Sequence, residues 1–155
     1  MSNSDRRNFS PEVEAACWKK GKEVPGREPD RWRLDCAGNY MFKPFHGCHG
    51  SLCYEFDHID AHFNKGPSTL ANCQPLQTKL NKSKSKYNLS SDQMVERSAD
   101  IKPTTKELNI VEFSFYGNII EDGQECRCLS EKEQAGINIL SQGVIQKFRF
   151  RADKT

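Results

Sequence analysis

The chain has 155 residues, of which 35% are hydrophobic and 28% are charged, and its formal net charge is +2. This length predicts one domain, or a small domain with a long appendage. The nearly balanced charge excludes a global basic field, so nucleic-acid binding would need a local cluster. The polar start MSNSDRRNFS lacks the apolar segment of a secretory signal, and no run suits a bilayer span. We therefore expect an intracellular protein of the nucleus or cytoplasm, not secreted and without a membrane partner.

The seven cysteines allow a prediction about disulfide bonds in this protein. Thiols of intracellular proteins are usually kept reduced, and an odd number of cysteines disfavours a fully paired set. We therefore expect no disulfide framework.

The first half of the chain predicts one helix and two strands. Pro11 follows Ser10, a suitable N-cap, and apolar residues recur on one face, so a helix is predicted over 11–20. The aromatic-rich segment 39–45 and the segment 52–56 flank the turn sequence HGCHGS. This arrangement predicts an antiparallel hairpin.

Further along, a loop over residues 60–71 precedes a helix predicted to begin near Pro75, with Leu76 and Leu80 spaced i, i+4. The polar segment 88–104 is interpreted as a linker. Beyond it, Thr104-x-x-Glu107 and Ser130-x-x-Glu133 each match a capping box and indicate helices. Alternating apolar residues after Glu107 leave a strand open as the alternative there.

Three polar residues suggest hydrolytic chemistry. Asp57 supplies a carboxylate and Asn81 a neutral amide oxygen, and both are hard ligands suited to Mg²⁺. His58 is neutral near pH 7 and can accept a proton from water. Phosphodiester hydrolysis needs such a set, namely a base and a metal that stabilises charge on the leaving oxygen. Adjacent strand residues face opposite ways, so both Asp57 and His58 serve one site only if the strand bends or ends there.

These residues belong to a longer series whose order resembles a known sequence motif. Asp57-His58-Ile59, Lys65-Gly66, Asn72-Cys73-Gln74-Pro75-Leu76 and Asn81 resemble the HNH nucleases of the ββα-metal type, in the variant that ends in asparagine. The resemblance covers about residues 52–86, and Lys84 stands where the family often has a basic residue. Ala61 and Pro67 replace the proline and second glycine that are common in the family.

The resemblance implies an α+β fold with a ββα-metal core, an N-terminal helix and a partly helical C-terminal appendage. The nuclease-like domain would span 10–87 and the appendage 88–155. His58 would be the general base, and Asn72 would hold the loop that carries it. Asp57 and Asn81 would bind one divalent ion, Mg²⁺ or Mn²⁺.

The implied activity is metal-dependent endonucleolytic cleavage of DNA, which is favoured over RNA as the partner. Phosphate contacts would come from Lys82, Lys84, Lys86 and Arg33. One alternative is a non-catalytic nucleic-acid-binding module. Another is an interaction domain stabilised by Zn²⁺, with His46 or His49, Cys48, Cys53, and Cys36 or Cys73 as ligands. Two roles stay open: His62 as loop residue or ligand, and Trp18 and Trp32 as packing or base-stacking residues.

Overall fold

The computed structural model describes residues 8–98 and 102–126. Its architecture is mixed α+β, as predicted. The helices are α1 (Pro11–Trp18), α2 (Thr78–Lys84), α3 (Ser91–Arg97) and α4 (Thr105–Tyr116). The strands are β1 (Lys22–Glu23), β2 (Trp32–Leu34), β3 (Tyr40–Phe42), β4 (Tyr54–His58), β5 (Cys73–Gln77), β6 (Ile119–Glu121) and β7 (Gln124–Cys126). No helix within these described ranges is both long and apolar enough to cross a bilayer.

Helix α1 confirms the first predicted helix. The Ser10 side chain accepts a hydrogen bond from the Val13 amide at 3.3 Å, and Pro11 occupies the first turn. The helix ends at Trp18, two residues earlier than predicted. The Trp18 ring is buried, and its indole nitrogen donates to the Pro29 carbonyl at 3.0 Å, so Trp18 is a packing residue.

The predicted hairpin between segments 39–45 and 52–56 is wrong. Strand β3 pairs with β2 in the antiparallel sheet β1-β2-β3, and β4 pairs with β5 instead. Buried Asp35 explains the local choice, because its Oδ1 accepts the amides of Ala37 and Asn39, each at 2.9 Å. This side chain stabilises the tight β2–β3 turn, which leaves β4 free to pair elsewhere.

The predicted helix start near Pro75 is also wrong. Pro75 and Leu76 lie in β5, opposite Phe56 and Glu55, and α2 begins only at Thr78. Proline lacks an amide donor, but a two-stranded sheet consists of edge strands, where this is tolerated. The order from β4 onward is therefore strand, loop, strand and helix.

The segment 88–104 is not a continuous linker. Helix α3 lies within it and begins with a capping box in which the Ser90 and Gln93 side chains each bond the other's backbone amide. Met94 of α3 packs with Leu76 and Leu80 in a hydrophobic cluster. A polar sequence therefore forms a helix here because one apolar side chain anchors it and the cap satisfies its first turn.

Helix α4 confirms the helix predicted at Thr104 and removes the strand alternative. Thr104 and Glu107 form the reciprocal capping box, and Gly117 ends the helix at a φ of 70°. Leu108 and Val111 join the core of the N-terminal sheet. Residues on both sides of the predicted domain boundary therefore share one core. The helix predicted at Ser130 lies outside the described residues.

The cysteine expectation is wrong for one pair. Cys48 and Cys53 form a disulfide, with their Cα atoms 5.3 Å apart. The short turn between them holds the two residues within the range that a disulfide requires. Cys17, Cys36, Cys73 and Cys126 are free. Since Cys48 and Cys53 are bonded to each other, the proposed zinc set would require their reduced state.

A buried carboxylate joins α4 to the N-terminal sheet. Glu112 is fully buried; its Oε2 accepts from Arg27 at 3.2 Å and from the Trp32 indole at 2.9 Å. Its Oε1 accepts from Arg31 and from the Ile120 amide, each at 3.0 Å. Trp32 is therefore a packing residue as well. Three of these bonds join α4 to residues 27–32, which lead into β2, and the fourth joins α4 to β6.

We expect Glu112→Gln to lower the free energy of unfolding by about 3–5 kcal/mol, because buried guanidinium groups would lose their counter-charge. Thermal and urea unfolding would measure the change. Exposed Glu96 offers the control, and Glu96→Gln should stay within about 0.5 kcal/mol of the parent. Equal stability of the two variants would contradict the assigned role of Glu112.

Candidate active site

An open cavity of about 740 Å³ lies where β4 ends beside the end of α2. The structure brings Asp57, His58, Asn81 and Lys86 together there. The cavity is also lined by Asn8, Phe56, Ala61, His62, Phe63 and Ser85. His58 is the last residue of β4, so the chain turns directly after it. This strand end allows neighbouring residues to line the same cavity.

Asp57 is held by two donors on one oxygen. Lys84 Nζ lies 2.8 Å and Gln74 Nε2 2.9 Å from Asp57 Oδ2. Lys84 also donates to the His58 carbonyl oxygen at 2.6 Å. Among residues 8–98 and 102–126, no donor bonds Asp57 Oδ1. The carboxylate is therefore fixed in orientation while one oxygen stays available to a ligand.

Asn81 is oriented by Glu55. Its Nδ2 donates to Glu55 Oε2 at 2.7 Å, which identifies the nitrogen side of the amide. Its Oδ1 has no bonded donor within the described part of the chain. Glu55 was missed in the sequence, although its i, i+2 spacing from Asp57 on a strand would place both on one face.

His58 is held between a ring and a hydroxyl. The Phe9 ring stacks on the imidazole with centroids 4.2 Å apart, and His58 Nε2 lies 2.8 Å from Ser68 Oγ. Burial lowers the pKa of His58, and the nearby His62 lowers it further, against the opposing effect of Asp57. The neutral imidazole, which can accept a proton, is therefore the favoured form.

Asn72 ties together the loop between β4 and β5. Its Oδ1 accepts from the Asp60 amide at 2.7 Å, and its Nδ2 donates to the carbonyls of Asp60 at 3.0 Å and Pro67 at 2.9 Å. Its own carbonyl accepts from the Ile59 amide at 2.9 Å. Asn72 therefore acts on the backbone that follows His58; it does not line the cavity.

Gly66 is required in the same loop for a steric reason. A Cβ atom at this position would overlap the backbone carbonyl of Asp60. Lys65 beside it adopts the left-handed conformation with a φ of 64°. The Lys-Gly pair thus permits a close backbone approach that returns the chain towards β5.

Two of the four predicted phosphate contacts are wrong. Lys84 is fully buried in the ion pair with Asp57, so its charge is not available to a phosphate. Arg33 is largely buried, and it donates to the carbonyls of Pro29 at 2.9 Å and Gly21 at 3.0 Å. A residue count along the chain could not reveal that these long side chains turn inward.

The other two lysines are exposed and differ in position. Lys86 lines the cavity, and its Nζ lies 5.1 Å from the centroid of the Phe63 ring. Lys82 contacts His49 Nδ1 at 2.9 Å and does not line the cavity. Lys86 is therefore the predicted basic residue that the structure places at the cavity.

His62 also lines the cavity, with its ring centroid 5.4 Å from that of His58. Across the described ranges, no three His, Cys, Asp or Glu side chains converge as a metal-ligand group. The proposed ligand pair of Asp57 and Asn81 is not a group of this kind, because one of its two donors is the amide of Asn81.

Comparisons with known proteins add no assignment. No protein-family model matches the chain, and no match was found among curated proteins or solved structures.

The burial of Lys84 gives a direct test of its role. We expect Lys84→Met to lower the free energy of unfolding by about 3 kcal/mol or more, because Asp57 would lose its charge partner. Lys82→Met, in the same helix, should change it by less than about 0.5 kcal/mol. Thermal unfolding without nucleic acid measures both variants. An unchanged unfolding midpoint for Lys84→Met would contradict the role of Lys84 in the buried ion pair. It would leave Lys84 as a candidate phosphate contact at the surface.

Proposed function

We propose that this chain is a metal-dependent endonuclease that hydrolyses phosphodiester bonds of DNA in the cavity at the end of β4. The observation that carries the proposal is the convergence of Asp57, His58 and Asn81 on one cavity. The strand, loop, strand and helix order around them supports a ββα-metal core of the HNH type. We favour DNA over RNA on the resemblance to HNH nucleases alone.

The donor set suits a hard divalent cation. Asp57 Oδ1 and Asn81 Oδ1 are the oxygens that would hold Mg²⁺ or Mn²⁺, whereas Zn²⁺ favours imidazole and thiolate. When bound, such an ion stabilises negative charge on the reacting phosphate and leaving oxygen. Lys84 pairs with Asp57 through Oδ2, and the Glu55 carboxylate beside the Asn81 amide supplies a further negative charge close to the two oxygens.

The surroundings of His58 suit a general base. The lowered pKa keeps the ring neutral at physiological pH, and contact with Ser68 fixes its plane through Nε2. His58 Nδ1 has no hydrogen-bond partner among the described residues, and in the tautomer whose Nε2 donates to Ser68 it is the nitrogen that can accept a proton from an attacking water. Phe9 shields one face of the ring from solvent. Asn72 has a supporting role, because it holds the loop after His58.

A plasmid-nicking assay tests the proposal. With Mg²⁺ or Mn²⁺ the purified protein should convert supercoiled plasmid to the open circle, and EDTA should stop the reaction. His58→Ala should lower the rate by about 100-fold or more, because the general base is lost.

Exposed His49 supplies the matched control, and His49→Ala should retain the parent rate. Equal nicking by the two variants would show that His58 is not the base. Binding to DNA without cleavage in any metal would instead favour a non-catalytic nucleic-acid-binding module. One equivalent of tightly held zinc after reduction of the disulfide would favour the zinc-stabilised domain.

The contact between Glu55 and Asn81 predicts a metal-specific defect. Glu55→Ala frees the Asn81 amide to rotate, and the Mg²⁺ concentration for half-maximal nicking should rise about 10- to 100-fold. Glu96→Ala, on the surface of α3, should leave it unchanged. A lower rate at every Mg²⁺ concentration with the same half-maximal value would contradict the orienting role.

A further inference from the structure

Phe63 is exposed at the edge of the candidate active site. Its side chain is 73% exposed, more than any other large hydrophobic residue of the described ranges, and it lines the same cavity as His58. Exposing a phenyl ring to water forgoes about 2 kcal/mol of burial free energy. An aromatic ring that stays exposed at the edge of a cavity is suited to bind a ligand on its face.

The backbone that carries Phe63 is well braced. Phe63 lies in the 3-10 helix His62–Asn64, whose ends are closed by backbone bonds from Asn64 to Ala61 at 2.8 Å and from Lys65 to His62 at 2.9 Å. Asn88 bridges to this turn, accepting from the Ala61 amide at 2.9 Å and donating to Asp60 Oδ1 at 2.7 Å. The ring therefore projects from an ordered turn fixed to the segment after α2.

The charge beside the ring is positive. Lys86 Nζ lies 5.1 Å from the Phe63 centroid, and exposed Lys65 follows two residues after Phe63. Asp57 is paired with Lys84, and Asp60, which Asn88 orients but does not neutralise, leaves these two lysines in excess by one charge. An aromatic face next to a free ammonium group matches a nucleotide, whose base stacks on the ring while its phosphate meets the cation.

The geometry of the Phe63 ring bears on whether the base that it contacts is paired or unpaired. In a duplex each base is stacked on both faces, and only its edges are open in the grooves. To contact a base face inside a duplex the ring would have to wedge between two base pairs, at a cost of about a few kcal/mol, whereas an unpaired base offers its face directly. Trp18 and Trp32 are both buried and cannot serve this purpose.

We propose that Phe63 is a stacking platform for an unpaired base, and that the cavity therefore binds single-stranded DNA segments in preference to duplex DNA. The inference rests on the proposed nuclease function and names the substrate class of the same site. Lys86 holds the adjacent phosphate, and stacking on Phe63 positions the strand beside His58.

Binding can be measured apart from cleavage by fluorescence anisotropy in EDTA, with a labelled single-stranded oligothymidylate and a labelled duplex. The parent protein should bind the single strand more tightly. Phe63→Ala should weaken single-strand binding about tenfold, because one base–aromatic stack is lost, and should leave duplex binding unchanged. Phe63→Trp should retain tight single-strand binding.

Val95→Ala is the matched control, because Val95 is 53% exposed on α3 and does not line the cavity. Its single-strand affinity should equal that of the parent. Circular dichroism and thermal unfolding confirm that each variant is folded.

The outcomes separate the two levels of the proposal. Unchanged single-strand affinity of Phe63→Ala, alongside nicking that still needs metal and His58, overturns the stacking inference and leaves the nuclease proposal in place. Equally tight binding of duplex and single strand by the parent would also overturn the stacking inference and leave the nuclease proposal in place. No affinity for either oligonucleotide together with no cleavage in Mg²⁺ or Mn²⁺ overturns both.

Discussion

The ion pair between Lys84 and Asp57 is the interaction on which the candidate site depends. It joins the last turn of α2 to the end of β4, and the same ammonium group bonds the His58 carbonyl. A buried pair of this kind contributes little net stability compared with apolar packing, but removal of one partner is costly. The ion pair instead favours one relative position of α2 and β4, because the Lys84 ammonium group has suitable acceptors only when helix and strand meet in this register. The positions of Asp57, His58 and Asn81 relative to one another follow from that register.

The long connection between β4 and β5 shows how irregular backbone can hold the geometry of the candidate site. Asn72 supplies a donor and an acceptor to the backbone on the other side of the loop, and Gly66 lets that backbone approach closely. Asn88 then fixes the same turn to the chain after α2. Such side-chain bonds replace a regular ladder, so the loop can expose His62 and Phe63 without losing its shape.

Local signals in the sequence predicted the helices best. Ser10 before Pro11, and Thr104 with Glu107, predicted helix starts because capping bonds involve neighbours within three residues. Strand pairing was not predictable, because β4 could pair with either flank and the choice depends on the buried Asp35 turn. Asp57, His58 and Asn81 were found by their residue types and order. The inward turn of Lys84 and Arg33, and the contact of Glu55 with Asn81, depend on packing that no spacing reveals.

The buried Glu112 has a consequence for how the chain matures on the ribosome. Its partners Arg27, Arg31 and Trp32 precede it by 85, 81 and 80 residues, so they emerge long before their acceptor is synthesised. At ordinary translation speeds this delay is on the order of ten seconds. Until then Arg27 and Arg31, in the connection between β1 and β2, lack this counter-charge, and the core that the first sheet shares with α4 is incomplete. The strands, loop and helix around His58 have local partners and can assemble during this interval. The region nearest the candidate chemistry can therefore take shape before the N-terminal sheet is complete.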